Sequence, residues 1–150
     1  MKNNRGFSLL ELLIVVAIIL IIATIAIPSL LRSRQAAQES SAVAQVRTIN
    51  TAEVTYLSSN QGSYGDIPSL ITQGFLDTRF SASVSGYTYG VSFSGSDYTA
   101  TAMPTSANAG RYGYYSYPDA VIRYSSQTLT TCGGPGGNCF PGNQSGAPVS

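Results

Sequence analysis

The sequence predicts an α+β protein. A long N-terminal helix, apolar in its first half and amphipathic in its second, packs on a small antiparallel β-sheet. Three observations carry this prediction. The chain has 150 residues, enough for one domain of ordinary size. Its aliphatic content is concentrated in the first third, whereas residues after about Asn60 are rich in Gly, Ser, Thr and Tyr. The apolar period is helical before Ser58 and becomes two beyond Gly86.

Composition narrows the chemistry before any motif is read. Eight Lys and Arg nearly balance seven Asp and Glu, which gives no electrostatic case for nucleic acid as the main partner. Charged residues make up 10% of the chain, against roughly 25% in ordinary soluble domains. There is no His, and Lys2 is the one lysine. Without His, imidazole-based triads, most zinc sites and the usual switch near neutral pH are excluded. The acids run from Glu11 to Asp119 with no close pair, and no Gly-rich phosphate loop leads into a helix. The expectation is a protein that is not an enzyme and holds no cofactor or metal.

Residues 1–6 are short, polar and basic. Residues 7–31 then hold a single charge, Glu11, and from 12 to 27 only Thr24 is not apolar. About 20 apolar residues cross the hydrocarbon core as a helix, so this stretch is long enough. Three readings compete. The apolar run exceeds that of a secretory signal peptide, and Ile25-Ala26-Ile27-Pro28 is a poor small-residue cleavage site. A plain single-span anchor explains everything except Glu11. The third reading is a retained helix cut before its apolar core, at Gly6–Phe7. An ionisable residue in a membrane helix is costly unless paired. A cut before Phe7 would create an amine one helical turn from Glu11, and the two groups could neutralise each other within or between chains.

The run Lys-Asn-Asn-Arg-Gly-Phe-Ser-Leu-Leu-Glu-Leu-Leu-Ile-Val-Val-Ala-Ile-Ile resembles the class III leader and N-terminal helix of type IV prepilins and the related type II secretion pseudopilins. The resemblance covers about residues 5–37 and joins Gly-Phe, a Glu four residues on and an uninterrupted apolar run. It implies cleavage after Gly6 by a prepilin peptidase and N-methylation of Phe7. It implies that Glu11 neutralises the N-terminus of an adjacent subunit during assembly, and that Pro28 marks a helix kink or melting point in the filament. Pro lacks a backbone donor and crowds the preceding turn, which agrees. Lys and Arg flank the span two against two, so charge does not set its orientation; the leader resemblance puts the N-terminus in the cytoplasm. Losing Lys2 and Arg5 leaves six arginines against seven acids, about neutral with the new amine, so copies pack without accumulated repulsion.

The expected organisation is a leader at 1–6, a transmembrane and assembly helix at 7–58, and a globular head at 59–150. In the second half of the helix, Ala42, Val46, Ile49 and Tyr56 form an apolar stripe with Val43 and Leu57 beside it, while Arg34, Gln38, Gln45 and Arg47 supply polar faces. Asn60 and Gly62 end it. A short helix is expected near Pro68. Tyr87, Tyr89, Val91 and Phe93 alternate with polar residues, a turn follows at 94–97, and alternation resumes at 98–103, which reads as a hairpin. Further strands are expected at 120–124 and, more weakly, 111–117. The sheet would be polar on one face and aromatic on the other. The resemblance implies about four strands wrapped on the second half of the helix. The Tyr112, Tyr114, Tyr115 and Tyr117 cluster admits core packing or an exposed aromatic patch.

Two cysteines suit one disulfide. Cys132 and Cys139 close a short Gly/Pro loop without Cys-x-x-Cys spacing or His partners, and an extracytoplasmic site permits oxidation. Many pilins carry such a loop. Residues 140–150 are Gly/Pro/Ser-rich and expected to be mobile. The resemblance points to a structural subunit of a type IV pilus, acting in adhesion, motility or DNA uptake. It implies as partners other copies of the chain in a helical homopolymer, the prepilin peptidase, the pilus assembly machinery and, before assembly, the cytoplasmic membrane, and it implies an extracellular filament. The alternatives are a type II secretion pseudopilin or a minor pilin and, from another class, a membrane-anchored surface binding protein that never polymerises.

Overall fold

A computed structural model describes residues 7–94, 97–125 and 147–149. The chain forms two compact units, Met1–Arg34 and Gln35–Ser150. One helix, α1 (Leu9–Ser59), contributes its first half to the N-terminal unit and its second half to the head. It ends where expected. Gln61 and Gly62 adopt positive φ, and the Gly62 N–H donates to the Leu57 carbonyl at 3.1 Å, so the left-handed turn satisfies a carbonyl that the helix end leaves open.

In the head, α2 (Ile67–Thr72) starts at Asp66, whose Oδ1 accepts from the Ser69 N–H at 2.9 Å. Pro68 sits in its first turn, where the missing donor costs nothing. A 3₁₀ helix, Thr78–Ser81, follows behind the Asp77 cap and was not legible in the alternation pattern. The sheet has five antiparallel strands in sequence order: β1 (Tyr87–Ser94), β2 (Asp97–Pro104), β3 (Gly113–Ser116), β4 (Ile122–Ser125) and β5 (Ala147–Pro148). β1 and β2 pair along their whole length, from Tyr87 opposite Pro104 to Ser94 opposite Asp97.

Three details depart from the sequence reading. β4 begins at Ile122 because residues 117–120 form a turn: the Ala120 N–H donates to the Tyr117 carbonyl at 2.9 Å, and Ala120 takes φ 56°. The terminal segment is not wholly free, since β5 pairs with β4 and the Val149 N–H donates to the Ile122 carbonyl at 2.8 Å. Backbone pairing needs no apolar alternation, so Ala147-Pro148 gave no signal. The sheet's far face is also not purely polar. Tyr115 lies opposite Thr101 and Arg123 and is buried, with its ring edge-to-face on Tyr117 at 5.6 Å.

The core sits between α1 and the sheet. Ala42, Val46 and Ile49 have no exposed surface, and Val43, Tyr56 and Leu57 pack beside them. Tyr87, Tyr98, Ala100 and Ala102 cover the stripe from the sheet. Small residues on β2 leave room for the helix, and large rings on β1 and β3 fill the flanks. Tyr114 stands 6.1 Å from Tyr87 between ring centroids. The tyrosine cluster therefore contributes to packing, with Tyr114 and Tyr115 buried and Tyr112 and Tyr117 half-buried.

Ile49→Ala is expected to lower the unfolding free energy by about 2–5 kcal/mol, the range for emptying a sealed aliphatic site. Val54→Ala, at a position 58% exposed on the same helix, is expected to stay within about 0.5 kcal/mol. Urea unfolding of the purified chain in detergent, followed by tyrosine circular dichroism, distinguishes the two.

Candidate assembly site

α1 opens with a capping arrangement. Ser8 precedes the first helical residue and Glu11 stands three residues on, the spacing at which a carboxylate reaches back to the cap. Glu11 Oε2 accepts from the Ser8 backbone N–H at 3.0 Å. This satisfies one N–H that a helix start leaves open and places negative charge at the positive end of the helix dipole. Glu11 thus has a local partner that the sequence reading missed, although Ser-Leu-Leu-Glu was there to be read.

Beyond Glu11 the helix is apolar on every side. Leu13, Val16, Ile19, Ile22 and Ile25 point in different directions and all are exposed. A helix of this kind belongs in lipid or inside an assembly. Among the described residues it is the one helix long and apolar enough to cross a membrane. Pro28 lies inside α1. Its missing donor leaves the Thr24 carbonyl without a helical partner, and the Thr24 hydroxyl donates to the Leu20 carbonyl at 2.8 Å. The hydrogen-bond ladder is thus perturbed twice in this stretch.

Phe7 and Glu11 lie one turn apart at the start of the span, and Phe7 is 78% exposed. Gly6, Cys132 and Cys139 lie outside the described residues. Among the described residues, no three His, Cys, Asp or Glu side chains cluster closely enough to hold a metal ion.

Residues 1–27 match the family model of the prokaryotic N-terminal methylation motif. The chain is 39% identical over 77 residues to the type IV major pilin protein PilA of Myxococcus xanthus, an alignment that covers 51% of this chain and 34% of that protein. It spans about a third of that relative's length. With the type IV wide pilus major component PilA4 of Thermus thermophilus it shares 30% identity over 135 residues, 90% of this chain and 97% of the relative. The chain belongs to the type IV pilin family.

The pilin's head holds polar residues inside the apolar stripe, where the sequence showed only a helical face. Glu39, Asn50 and Glu53 are buried on α1, while Gln38 and Gln45, read as polar-face residues, are half-buried. Each of the three binds a different part of the head. Glu39 Oε1 accepts from the Arg111 backbone N–H at 2.8 Å, and both its oxygens accept from the guanidinium at 3.3 Å. Arg111 is 61% exposed on its side chain against 10% for Glu39, so the ion pair is screened and contributes little. The backbone bond to a shielded carboxylate is the stronger part. Asn50 links α1 to two strands: its Nδ2 donates to Ser116 Oγ at 2.8 Å, and the Tyr98 hydroxyl donates to its Oδ1 at 3.0 Å. Glu53 Oε2 accepts from the Gly65 N–H at 3.2 Å. No periodicity argument reveals these partners, because they arrive from residues 12 to 72 positions away.

A groove of about 670 Å³ lies along β1, lined in part by Ile67, Pro68, Phe80, Tyr89 and Val91, with Asp66 as the carboxylate among its lining residues. Asp66 is engaged in capping α2, and the hydrogen bonds from Ser69 hold it below the ordinary carboxylate value. Burial pushes the Tyr89 phenol up to about 12. Neither group is poised to exchange a proton near neutral pH.

Asn50→Ala is expected to destabilise the head by about 2 kcal/mol, since it strands the Tyr98 hydroxyl in the core and removes the donor to Ser116. Tyr98→Phe removes one donor and is expected to cost about 1 kcal/mol. Equilibrium unfolding of both variants checks the order.

Proposed function

We propose that this pilin is the structural subunit of a type IV pilus, polymerised through its N-terminal helix. The observation that carries the reading is an apolar helix exposed on every side, with a single carboxylate one turn from Phe7, in a chain aligned over nearly its whole length with a pilus component. A precursor anchored by residues 7–27 stores that surface in lipid. Assembly moves it into a core of other helices, an exchange between two apolar surroundings that conserves most of its burial. The heads form the wall.

In this reading a prepilin peptidase hydrolyses the peptide bond between Gly6 and Phe7, and the new amine on Phe7 is methylated. Glu11 then pairs with the amine of a neighbouring copy. Unpaired, its charge would oppose entry into the core, so pairing sets the stagger between copies. In the free subunit the carboxylate caps its own helix and is partnered before a neighbour arrives. Pro28 is the position at which the helix kinks or melts in the filament, because one of its carbonyls already lacks a donor. Cys132 and Cys139 form a disulfide in the oxidising exterior. The head lies outside the cytoplasm in the membrane-bound precursor, and the filament is extracellular. The assembly machinery and the cytoplasmic membrane are the remaining partners. The absence of His from the sequence and a groove whose carboxylate caps a helix support a subunit without catalytic activity.

The intact mass of the chain in material sheared from cells is expected to equal residues 7–150 plus one methyl group, less two hydrogens for the disulfide. A mass that retains residues 1–6 would overturn the processing steps. Glu11→Ala is expected to leave the precursor in the membrane and abolish sheared filaments; normal filament yield would remove Glu11 from assembly.

A further inference from the structure

Glu53 is the one acidic side chain of the head with no exposed surface at all. Among the described residues its Oε1 has no hydrogen-bond partner, and its Oε2 has only the Gly65 N–H. A carboxylate so placed is under-solvated, since an ionised carboxyl ordinarily takes several donors.

The groups around it deepen the problem. On the connection between α1 and α2, the Tyr64 ring packs at a tilt against Tyr98 of β2 with ring centroids 4.6 Å apart. The Tyr98 hydroxyl is committed to Asn50. Asp66, at the end of the same connection, is a second negative charge acting on Glu53, and among the described residues no cation acts on it. On α1 itself, the Tyr56 ring packs against Gly65 so closely that a Cβ there would meet it at 2.9 Å. Glu53 and Tyr56 therefore grip the same glycine, one by a hydrogen bond and one by contact. A side chain at position 65 would have to displace the Tyr56 ring.

We propose that Glu53 is a proton-controlled latch: its neutral carboxyl holds residues 64–66 on the helix, and loss of the proton releases them. Burial costs the neutral acid less than the ionised acid, which regains water only if the connection lifts away.

The direction follows from linkage. Burial first, and the Asp66 charge after it, push the Glu53 carboxyl from 4.5 to about 7, against the opposing bond from Gly65. Below pH 4.5 both the docked and the lifted forms are protonated, and pH has no effect on docking. Between 4.5 and about 7 the lifted form ionises while the docked form does not, so rising pH favours release. Above about 7 both are ionised and the bias is complete. This is opposite in sign to a salt-bridged carboxylate, which loses its contribution as pH falls. The surroundings of a pilin filament would thus set whether this part of the head surface is fixed or free. The latch does not depend on polymerisation and holds for the membrane-bound precursor too.

The test is amide hydrogen exchange of residues 64–66, Gly65 above all, in the full-length chain in detergent at pH 5.5 and 8.5, corrected for the intrinsic pH dependence of exchange. Protection is expected to fall at least about tenfold at the higher pH, with β2 and β3 unchanged. Glu53→Gln is expected to keep the segment protected at both values. Equal protection of the wild type at both pH values, or a Glu53→Gln chain that loses protection as the wild type does, would overturn the latch. If Glu53→Gln does not fold, carbon-detected titration of the wild-type carboxyl decides: a midpoint near 7 supports the latch and one below 5 removes it.

Discussion

Ala42, Val46 and Ile49 have no exposed surface, and the strands that cover them present Tyr87, Tyr98, Ala100 and Ala102 to the same stripe. A five-stranded sheet whose shortest strands have four and two residues has little independent stability. What it buries, it buries against this helix. Everything else in the head depends on that contact: the register of β1 and β2 places alternate rings on the helix, and α2 and the 3₁₀ helix close the end of the core with Leu70 and Phe80.

The same helix obeys a different rule in its first half. There the apolar residues do not form a stripe but cover the cylinder, and they are exposed on every side. The change comes at the junction of the two compact units, where Arg32, Arg34 and Gln35 interrupt the apolar run. One continuous helix therefore carries two kinds of surface, one answered within the head and the other requiring a partner beyond it. Glu11, Thr24 and Pro28 are departures from uniform apolar helix within that second surface. The first is a charge with a local cap partner, and the last is a break in the donor ladder.

Polar residues within the buried stripe serve a purpose distinct from apolar packing. Glu39, Asn50 and Glu53 lie at successive levels along α1 and bind the Arg111 segment, β2 with β3, and the Gly65 connection respectively. Apolar contact tolerates sliding, whereas a hydrogen bond between buried groups does not, because a slip leaves both partners unsatisfied. These three residues fix where along the helix each part of the head attaches. Glu53 does so with the fewest partners, which makes its attachment the one that depends on a proton.

The apolar span, the capping and turn residues around Asn60, Gly62 and Pro68, and the alternation at 87–93 and 98–103 were legible in the sequence, because each follows from local chemistry that neighbours within a few positions determine. The Ser8 cap on Glu11 follows from local chemistry too, since Ser-Leu-Leu-Glu has the spacing of a capping box, although the sequence reading passed over it. The late start of β4, the pairing of β5, the burial of Tyr115 on the far face and the partners of Glu39, Asn50 and Glu53 were decided only in the folded chain. They depend on which residues distant in sequence arrive at one place, and a buried glutamate has the same local signature as an exposed one. Only the tertiary structure shows how few donors Glu53 meets there.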